Sequence, residues 1–238
     1  MIRRAEHADI SQIKALWEIC FPGDSAEDRE FFFTRLFQPE YAWIYEENGR
    51  LIAMLHALPY TIRVNEDRFP ARYFYGIGTA PDMRRRGLAA ALLRHALAAA
   101  EREDALCCFL VPASAQLAEY YQRHGFSPLC QRQRPFDAER RGRAASLGDI
   151  PHLQAVYERA LANRPHPIRT ERDWENLFCE VREVCITERG YLIYDRTGAL
   201  CETFGCDVPL QAPQDYALFY MLRREISMKN GYFNLLHD

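Results

Sequence analysis

"TAPDMRRRGLAAALLRHAL" occupies residues 79–97. Arg84, Arg85 and Arg86 stand directly before Gly87, and an alanine- and leucine-rich run follows. The run predicts a helix over 89–100, and the preceding residues 73–79 read as a strand. The stretch is therefore a strand end, a basic turn and a helix start. A helix N-terminus presents N–H groups without intrahelical partners and carries partial positive charge. Phosphate binds there when small residues let it approach the backbone, and Gly87 and Ala89 are small at alternate positions. Flanking guanidinium groups add attraction and bidentate pairing to phosphate oxygens. Gly76 and Gly78 lie inside the preceding strand, where glycine marks a bulge or the close approach of another molecule. Three uses compete for such a stretch: nucleic acid, a phosphate-bearing cofactor, or a solvated helix start.

Composition weighs against the first. The chain has 238 residues, a formal net charge of -3, 48% hydrophobic and 26% charged residues. That is an ordinary globular composition for one or two domains, without the basic surface of a bulk nucleic-acid binder. No stretch is apolar for long enough to span a bilayer, and no apolar segment follows Arg3 and Arg4, so neither membrane nor export is expected and the location reads as cytoplasmic. Among the eight cysteines, Cys107 and Cys108 are adjacent and the others lie in apolar runs, which reads as buried small hydrophobes rather than disulfides. Cys179, Cys185, Cys201 and Cys206 are spaced more widely than the tight pairs of zinc sites, so no metal is expected.

Along the chain, Ile10, Ile13, Leu16 and Trp17 fall at helical spacing after Asp9, an N-cap residue, and Phe21-Pro22-Gly23 ends that helix. A second helix is predicted over 27–37. Two β-rich runs flank Asn48-Gly49, a hairpin signal. A strand over 105–111, a helix over 115–124 and a further strand complete the first part, an α/β layer fold. Residues 137–143 read as a linker. Beyond it, Arg143, Ala145, Asp149-Ile150, Leu153, Val156 and Tyr157 echo Arg3, Ala5, Asp9-Ile10, Ile13, Leu16 and Trp17. Tyr194–Leu200 likewise echoes Tyr45–Leu51 around a glycine turn, so the second part repeats the opening of the first. A helix over 212–229 and a last strand over 232–236 are expected.

The loop is neither a Walker loop nor a dinucleotide fingerprint, since Gly-Lys-Ser/Thr and the three-glycine spacing are both missing. Arg84-x-x-Gly87-x-Ala89, between strand and helix, resembles the acyl-CoA pyrophosphate loop of the GNAT superfamily of N-acyltransferases. Tyr120-Tyr121-Gln122-Arg123-His124-Gly125-Phe126, one strand and one helix later, resembles the Tyr-x-x-x-Gly-Phe signature of the same superfamily. The segments Leu55–Tyr60 and Leu110–Ser114 look like a bacterial branch related to the enhanced-intracellular-survival type, here without its sterol-carrier-like third domain.

The resemblance implies an α/β (α+β) GNAT fold: a central mixed, mostly antiparallel sheet flanked by helices over 1–137. A smaller, incomplete GNAT-like unit without a CoA loop is implied over 143–238. It implies acetyl-CoA as acyl donor, held by Ile77, Gly78 and Thr79 along the pantetheine arm and by Arg84, Arg85, Arg86, Gly87, Leu88 and Ala89 around the pyrophosphate. Ser114 stands where many relatives carry an asparagine. Tyr121 is the implied acid for the leaving thiolate, a phenol being protonated at neutral pH. The strand 73–79 holds no carboxylate, which leaves His56 or water as the base. The acceptor is read as a primary amine of a small molecule or peptide. Glu27, Asp28 and Glu30 are placed near it, with a solvated helix start as their plainer reading, and Tyr60, Tyr73 and Tyr75 as lining. The second part is left to complete the acceptor pocket or to mediate self-association into a homo-oligomer. A non-catalytic acyl-CoA sensor or scaffold is the rival reading, and a nucleic-acid module the remoter one.

Overall fold

Asn48 and Gly49 both adopt left-handed φ, 53° and 77°, as a two-residue hairpin turn demands. They join two of the strands that carry the first sheet. In this computed structural model, which describes residues 1–228 and 230–234, the chain runs β1 (Ile2–Arg4), α1 (Ile10–Cys20), α2 (Ala26–Phe31), β2 (Ala42–Glu47), β3 (Arg50–Val64), β4 (Asp67–Thr79), α3 (Leu88–Arg102), β5 (Cys107–Leu110), α4 (Ala115–Arg123) and β6 (Ser127–Arg132). There follow β7 (Arg143–Ala144), α5 (Ile150–Leu161), β8 (His166–Pro167), α6 (Glu171–Glu180), β9 (Glu183–Ile186), β10 (Tyr191–Tyr194), β11 (Leu200–Phe204) and β12 (Gln214–Met221). The second predicted helix breaks in two: α2 gives way to a π-helical turn at Phe32–Leu36.

Contacts divide the chain into two units, and neither is a contiguous run. The first comprises Met1–Thr61, Phe69–Ser127 and Leu218–Ile226. The second comprises Ile62–Arg68, Pro128–Ala217 and the described residues from Ser227 onward.

The larger sheet has the order β1-β2-β3-β4-β5-β12-β6. β1–β2, β2–β3 and β5–β12 pair antiparallel, and β4–β5 is parallel. The expected mixed, mostly antiparallel sheet flanked by helices is therefore present. The helix predicted over 212–229 is not present in the described residues 212–228: β12 occupies their first half, with Leu218–Met221 in register with Leu110–Cys107. The run Tyr216-Ala-Leu-Phe-Tyr-Met is short and apolar, and periodicity alone does not separate a buried strand from a helix turn there. Tyr232–Asn234 carry no regular structure, and the rest of the predicted last strand lies outside the described residues. On one face of this sheet, α3 buries Leu88, Leu92, Leu93, Ala96, Ala99 and Ala100 at helical spacing against Phe74, Leu55 and Phe126.

The second unit holds an antiparallel sheet of order β7-β9-β10-β11 with α5 and α6, closed over Leu153, Tyr157, Trp174, Tyr191 and Ile193. Within it, β8 pairs with the tip of the β3–β4 hairpin at Ile62↔Pro167 and Arg63↔His166. The repeat read from the sequence has a physical counterpart. Arg3 grips the Asp9 carboxylate at 2.6 and 2.8 Å, and Arg143 grips Asp149 at 2.9 and 2.5 Å. Each aspartate also accepts the N–H three residues back, of Glu6 and of Ser146, at 2.8 Å. Asp9 is thus not a side-chain cap of α1: its carboxylate closes the 3-10 turn before the helix. The hairpin half of the echo shifts by one strand. Position for position, β7-β9-β10-β11 matches β1-β2-β3-β4, so the partner of the Asn48-Gly49 turn is the β9–β10 turn at 187–190, not the β10–β11 turn at Gly198.

Candidate active site

The site is built where β4 leaves β5. Their parallel ladder runs from Ala71↔Cys107 to Tyr73↔Phe109 and ends there, while β4 continues six residues to Thr79. Within that extension Gly76 takes a φ of +55°. Phe74 and Ile77, three apart, both pack in the α3-side core. Tyr75 and Gly76, although adjacent, both face Trp17 of α1, and Gly78 faces Cys20. Two neighbours on one side mark an extra residue, a bulge, which leaves ladder groups unpaired and re-aims the strand.

The glycines serve a purpose the sequence reading missed. A Cβ on Gly76 would sit 2.4 Å from the Trp17 ring and 2.9 Å from His56, and one on Gly78 would sit 2.9 Å from the Cys20 sulfur. Both are small so that α1 can lie directly on the strand. They do not mark a ligand pressed against that face.

Beyond Thr79 the chain makes a 3-10 turn at Pro81–Met83 and then the arginine loop. Arg84 turns back, its Nε donating to the Thr79 carbonyl at 3.2 Å. Arg86 pairs with Glu47 at 3.1 Å. Arg85 adopts a left-handed φ of 64° and, among the described residues, pairs with no carboxylate. All three are exposed. Gly87 is the N-cap of α3, with φ 76° and ψ 10°, and nothing lies within 4 Å of where its Cβ would be. Its conformation, not crowding, calls for glycine. No side chain caps α3, whereas Ser25, Ser114 and Thr170 cap α2, α4 and α6. The first intrahelical donor here is the Ala91 N–H to the Gly87 carbonyl, which leaves the amides of Leu88, Ala89 and Ala90 at the open end. An anion at this end meets backbone donors, the helix dipole and guanidinium groups together.

Tyr121 lies near the C-terminal end of α4, buried, and burial pushes its phenol up to about 12. Its ring meets Tyr120 at 5.3 Å and Phe126 at 6.0 Å. Ser114 caps α4, its Oγ accepting the Leu117 N–H at 3.2 Å.

His56 is fully buried among Trp17, Phe32 and Phe37, at ring distances of 5.5, 5.1 and 5.5 Å. Neither ring nitrogen has a hydrogen-bond partner, and burial pulls its pKa down to about 3. It is a neutral core histidine, and the option of a base at this position falls away. Of the acidic group, Ser25 caps α2 and donates to Asp28, Glu30 accepts from Thr34, and Glu27 is exposed. The plainer reading, a solvated helix start, describes them.

Tyr73, Tyr75 and Tyr60 form an aromatic row: Tyr73 lies 5.6 Å from Tyr75, 5.9 Å from Tyr60 and 5.3 Å from Phe109. Cys20, absent from the sequence reading of the site, borders Gly78. Burial raises its thiol, and the Arg84 guanidinium opposes that in part. All eight cysteines are free, and Cys179 is exposed rather than buried. Among the described residues no group of three or more metal-ligating side chains gathers, and no helix is long and apolar enough to cross a membrane.

Residues 1–129 match the family model for the acetyltransferase (GNAT) domain. No curated protein sequence matches the chain. Among solved structures, a GCN5-related N-acetyltransferase from Anabaena variabilis aligns at a TM-score of 0.70 and 16% identity, over 94% of this chain and 73% of that one. Eis1 from Mycobacterium abscessus aligns at 0.67 and 17%, over 94% and 74%. A putative acetyltransferase from Pyrococcus horikoshii aligns at 0.62 and 13%, over 98% and 94%. These identities speak for the fold. The match of the family model to more than half of the 238 residues speaks for descent, and the chain belongs to the GNAT acetyltransferase family.

Proposed function

We propose that the chain is an acetyl-CoA-dependent N-acetyltransferase acting on a primary amine of a small molecule or peptide. The observation that carries this reading is the open N-terminus of α3. It starts on a left-handed glycine, has no side-chain cap, is preceded by three exposed arginines, and follows, after one short loop, a strand whose ladder with its neighbour has ended. The pyrophosphate fits the amides from Leu88 to Ala90, and the pantetheine arm fits the edge of β4 at Ile77, Gly78 and Thr79. Arg84 and Arg86 already have protein partners, which makes Arg85 the arginine most ready to pair with phosphate. Ser114 opens α4 after β5, and the resemblance is the basis for counting it with the cofactor site.

Acetyl-CoA supplies an activated thioester. The amine nitrogen bonds to the acyl carbon, the carbon–sulfur bond breaks, and the amine proton leaves to water, since no carboxylate lies on 73–79 and His56 is neutral and enclosed. The bulge at Gly76 supports the use of a strand N–H near Ile77 or Gly78 to polarise the thioester oxygen. Tyr121, near 12, is a weaker acid than a thiol near about 8.5. It therefore acts as a hydrogen-bond donor to the departing sulfur rather than surrendering its proton outright.

The test is a thermal-shift titration with acetyl-CoA, followed by thiol release over a panel of polyamines, aminoglycosides, amino acids and peptides. Stabilisation should rise with ligand by mass action. Tyr121→Phe should keep that shift and lose about 100-fold in kcat. No shift at millimolar acetyl-CoA sinks the proposal. A shift with no thiol release from any amine favours the non-catalytic sensor.

A further inference from the structure

The motif that ends α4 closes on a residue from the far end of the chain. Gly125 adopts a φ of +92°, and a Cβ there would lie 2.9 Å from Cε2 and 3.3 Å from Cδ2 of Tyr220. The glycine is needed for the turn and also as the seat of that ring. Tyr220 is placed by its register opposite Cys108 in the β5–β12 ladder. Its ring meets Phe126 at 5.6 Å and 60°, and Phe126 meets Tyr121 at 6.0 Å and 63°. Three rings therefore stand edge to face in series, a favoured aromatic geometry. The backbone couples the same groups: the Tyr121 carbonyl accepts the N–H of His124 at 2.9 Å and of Phe126 at 3.2 Å. Shifting Phe126 shifts the turn that fixes Tyr121.

We propose that Tyr220 is a positioning residue for Tyr121, its ring holding Phe126 and the Gly125 turn so that the Tyr121 hydroxyl keeps its aim. The role of Tyr121 in this statement rests on the acetyltransferase reading above; the packing does not. The ring of Tyr220, not its hydroxyl, makes these contacts, so phenylalanine should serve in its place. The residue enters the chain only after β7 to β11, and a strand that follows the whole second sheet thus sets the geometry of a side chain near the end of α4.

The experiment compares full-length wild type, Tyr220→Leu and Tyr220→Phe, with Tyr220→Met as a second non-aromatic replacement should leucine not fold. Tyr121 is titrated by NMR with ring-labelled tyrosine, its signal assigned by Tyr121→Phe, and kcat and KM for acetyl-CoA are measured by thiol release. In Tyr220→Leu, the Tyr121 titration should fall towards the ordinary phenol value of about 10. Its kcat should drop about tenfold while KM stays within about twofold, as a displaced catalytic group produces. Tyr220→Phe should restore both. An unmoved Tyr121 titration in the leucine and methionine variants overturns the proposal, whatever their melting temperatures. So does a phenylalanine variant as impaired as leucine. If the wild type turns over no amine, the acetyltransferase reading falls, and the titration still decides whether Tyr220 positions Tyr121.

Discussion

Replacing Gly76 and Gly87 separately by alanine distinguishes two reasons for a glycine. Both residues have left-handed φ, +55° and +76°. For an L-residue that conformation costs about 1–2 kcal/mol. Alanine recovers about 0.4–1 kcal/mol of this by restricting the unfolded chain. Gly87 has nothing within 4 Å of its Cβ position, so Gly87→Ala should cost no more than about 1.6 kcal/mol. At Gly76 the new methyl would stand 2.4 and 2.8 Å from two atoms of the Trp17 ring. Trp17 has no easy retreat: it is buried, stacks on Phe32 at 4.6 Å, and its Nε1 donates to Asp24 at 2.8 Å. Overpacking of that kind adds about 1–3 kcal/mol, for a total of about 1–5 kcal/mol. Urea unfolding of the two variants, followed by far-ultraviolet circular dichroism, measures the difference as a shift of midpoint at constant slope. Equal costs, within about 0.5 kcal/mol, would show that Trp17 yields and that the α1–β4 contact does not explain Gly76.

Four further outcomes follow from the packing. Glu202 is buried and accepts from both arms of Arg169 at 2.6 and 2.7 Å, from Tyr191 and Tyr232 at 2.8 Å and from Asn234 at 2.9 Å. Glu202→Ala strands a buried guanidinium and should cost about 3–5 kcal/mol in urea unfolding, while Arg169→Met with Glu202→Leu should cost less. Burial alone would raise the Glu202 pKa, but Arg169 and the donors around it hold it below the ordinary value. The stabilisation is therefore complete at neutral pH and fades as the pH falls below about 4.3, which melting temperatures across pH 3–7 will show. A chain ending at residue 213 lacks β12 and should lose the acetyl-CoA-induced thermal shift; retention of the shift would mean that the sheet tolerates the loss. His56→Leu removes two unpartnered nitrogens, so it should leave the pH–rate profile unchanged at no loss of stability, whereas a general base would take a limb of the profile with it.

The arginine loop was legible because each of its signals is local. A glycine with positive φ, a run of alanines and leucines, and charges at the helix start act within a few residues, and the structure places Arg84–Ala89 as that pattern predicts. The echo of Arg3 and Asp9 in Arg143 and Asp149 was legible as a repeat, but the turn that each pair closes was not, since Asp9 read as a helix cap. The bulge was half legible: two strand glycines announced a close approach, but the approaching group is Trp17 and Cys20 from the chain's own first helix. Tyr220 and β12 were not legible, because pairing with β5 is a non-local choice that a short apolar run does not declare.

That last point bears on how the molecule is organised. The sequence divides at 137–143, where composition changes, yet β12 lies between β5 and β6, on the far side of the second sheet in chain order. Residues 133–213 thus lie, in chain order, between two neighbouring strands of one sheet. The segment carries five strands and two helices and encloses a core of its own around Tyr157, Trp174 and Tyr191. The chain traverses it before reaching β12. The 213 truncation and the Tyr220 variants test whether the strand that follows this segment is needed at the candidate site.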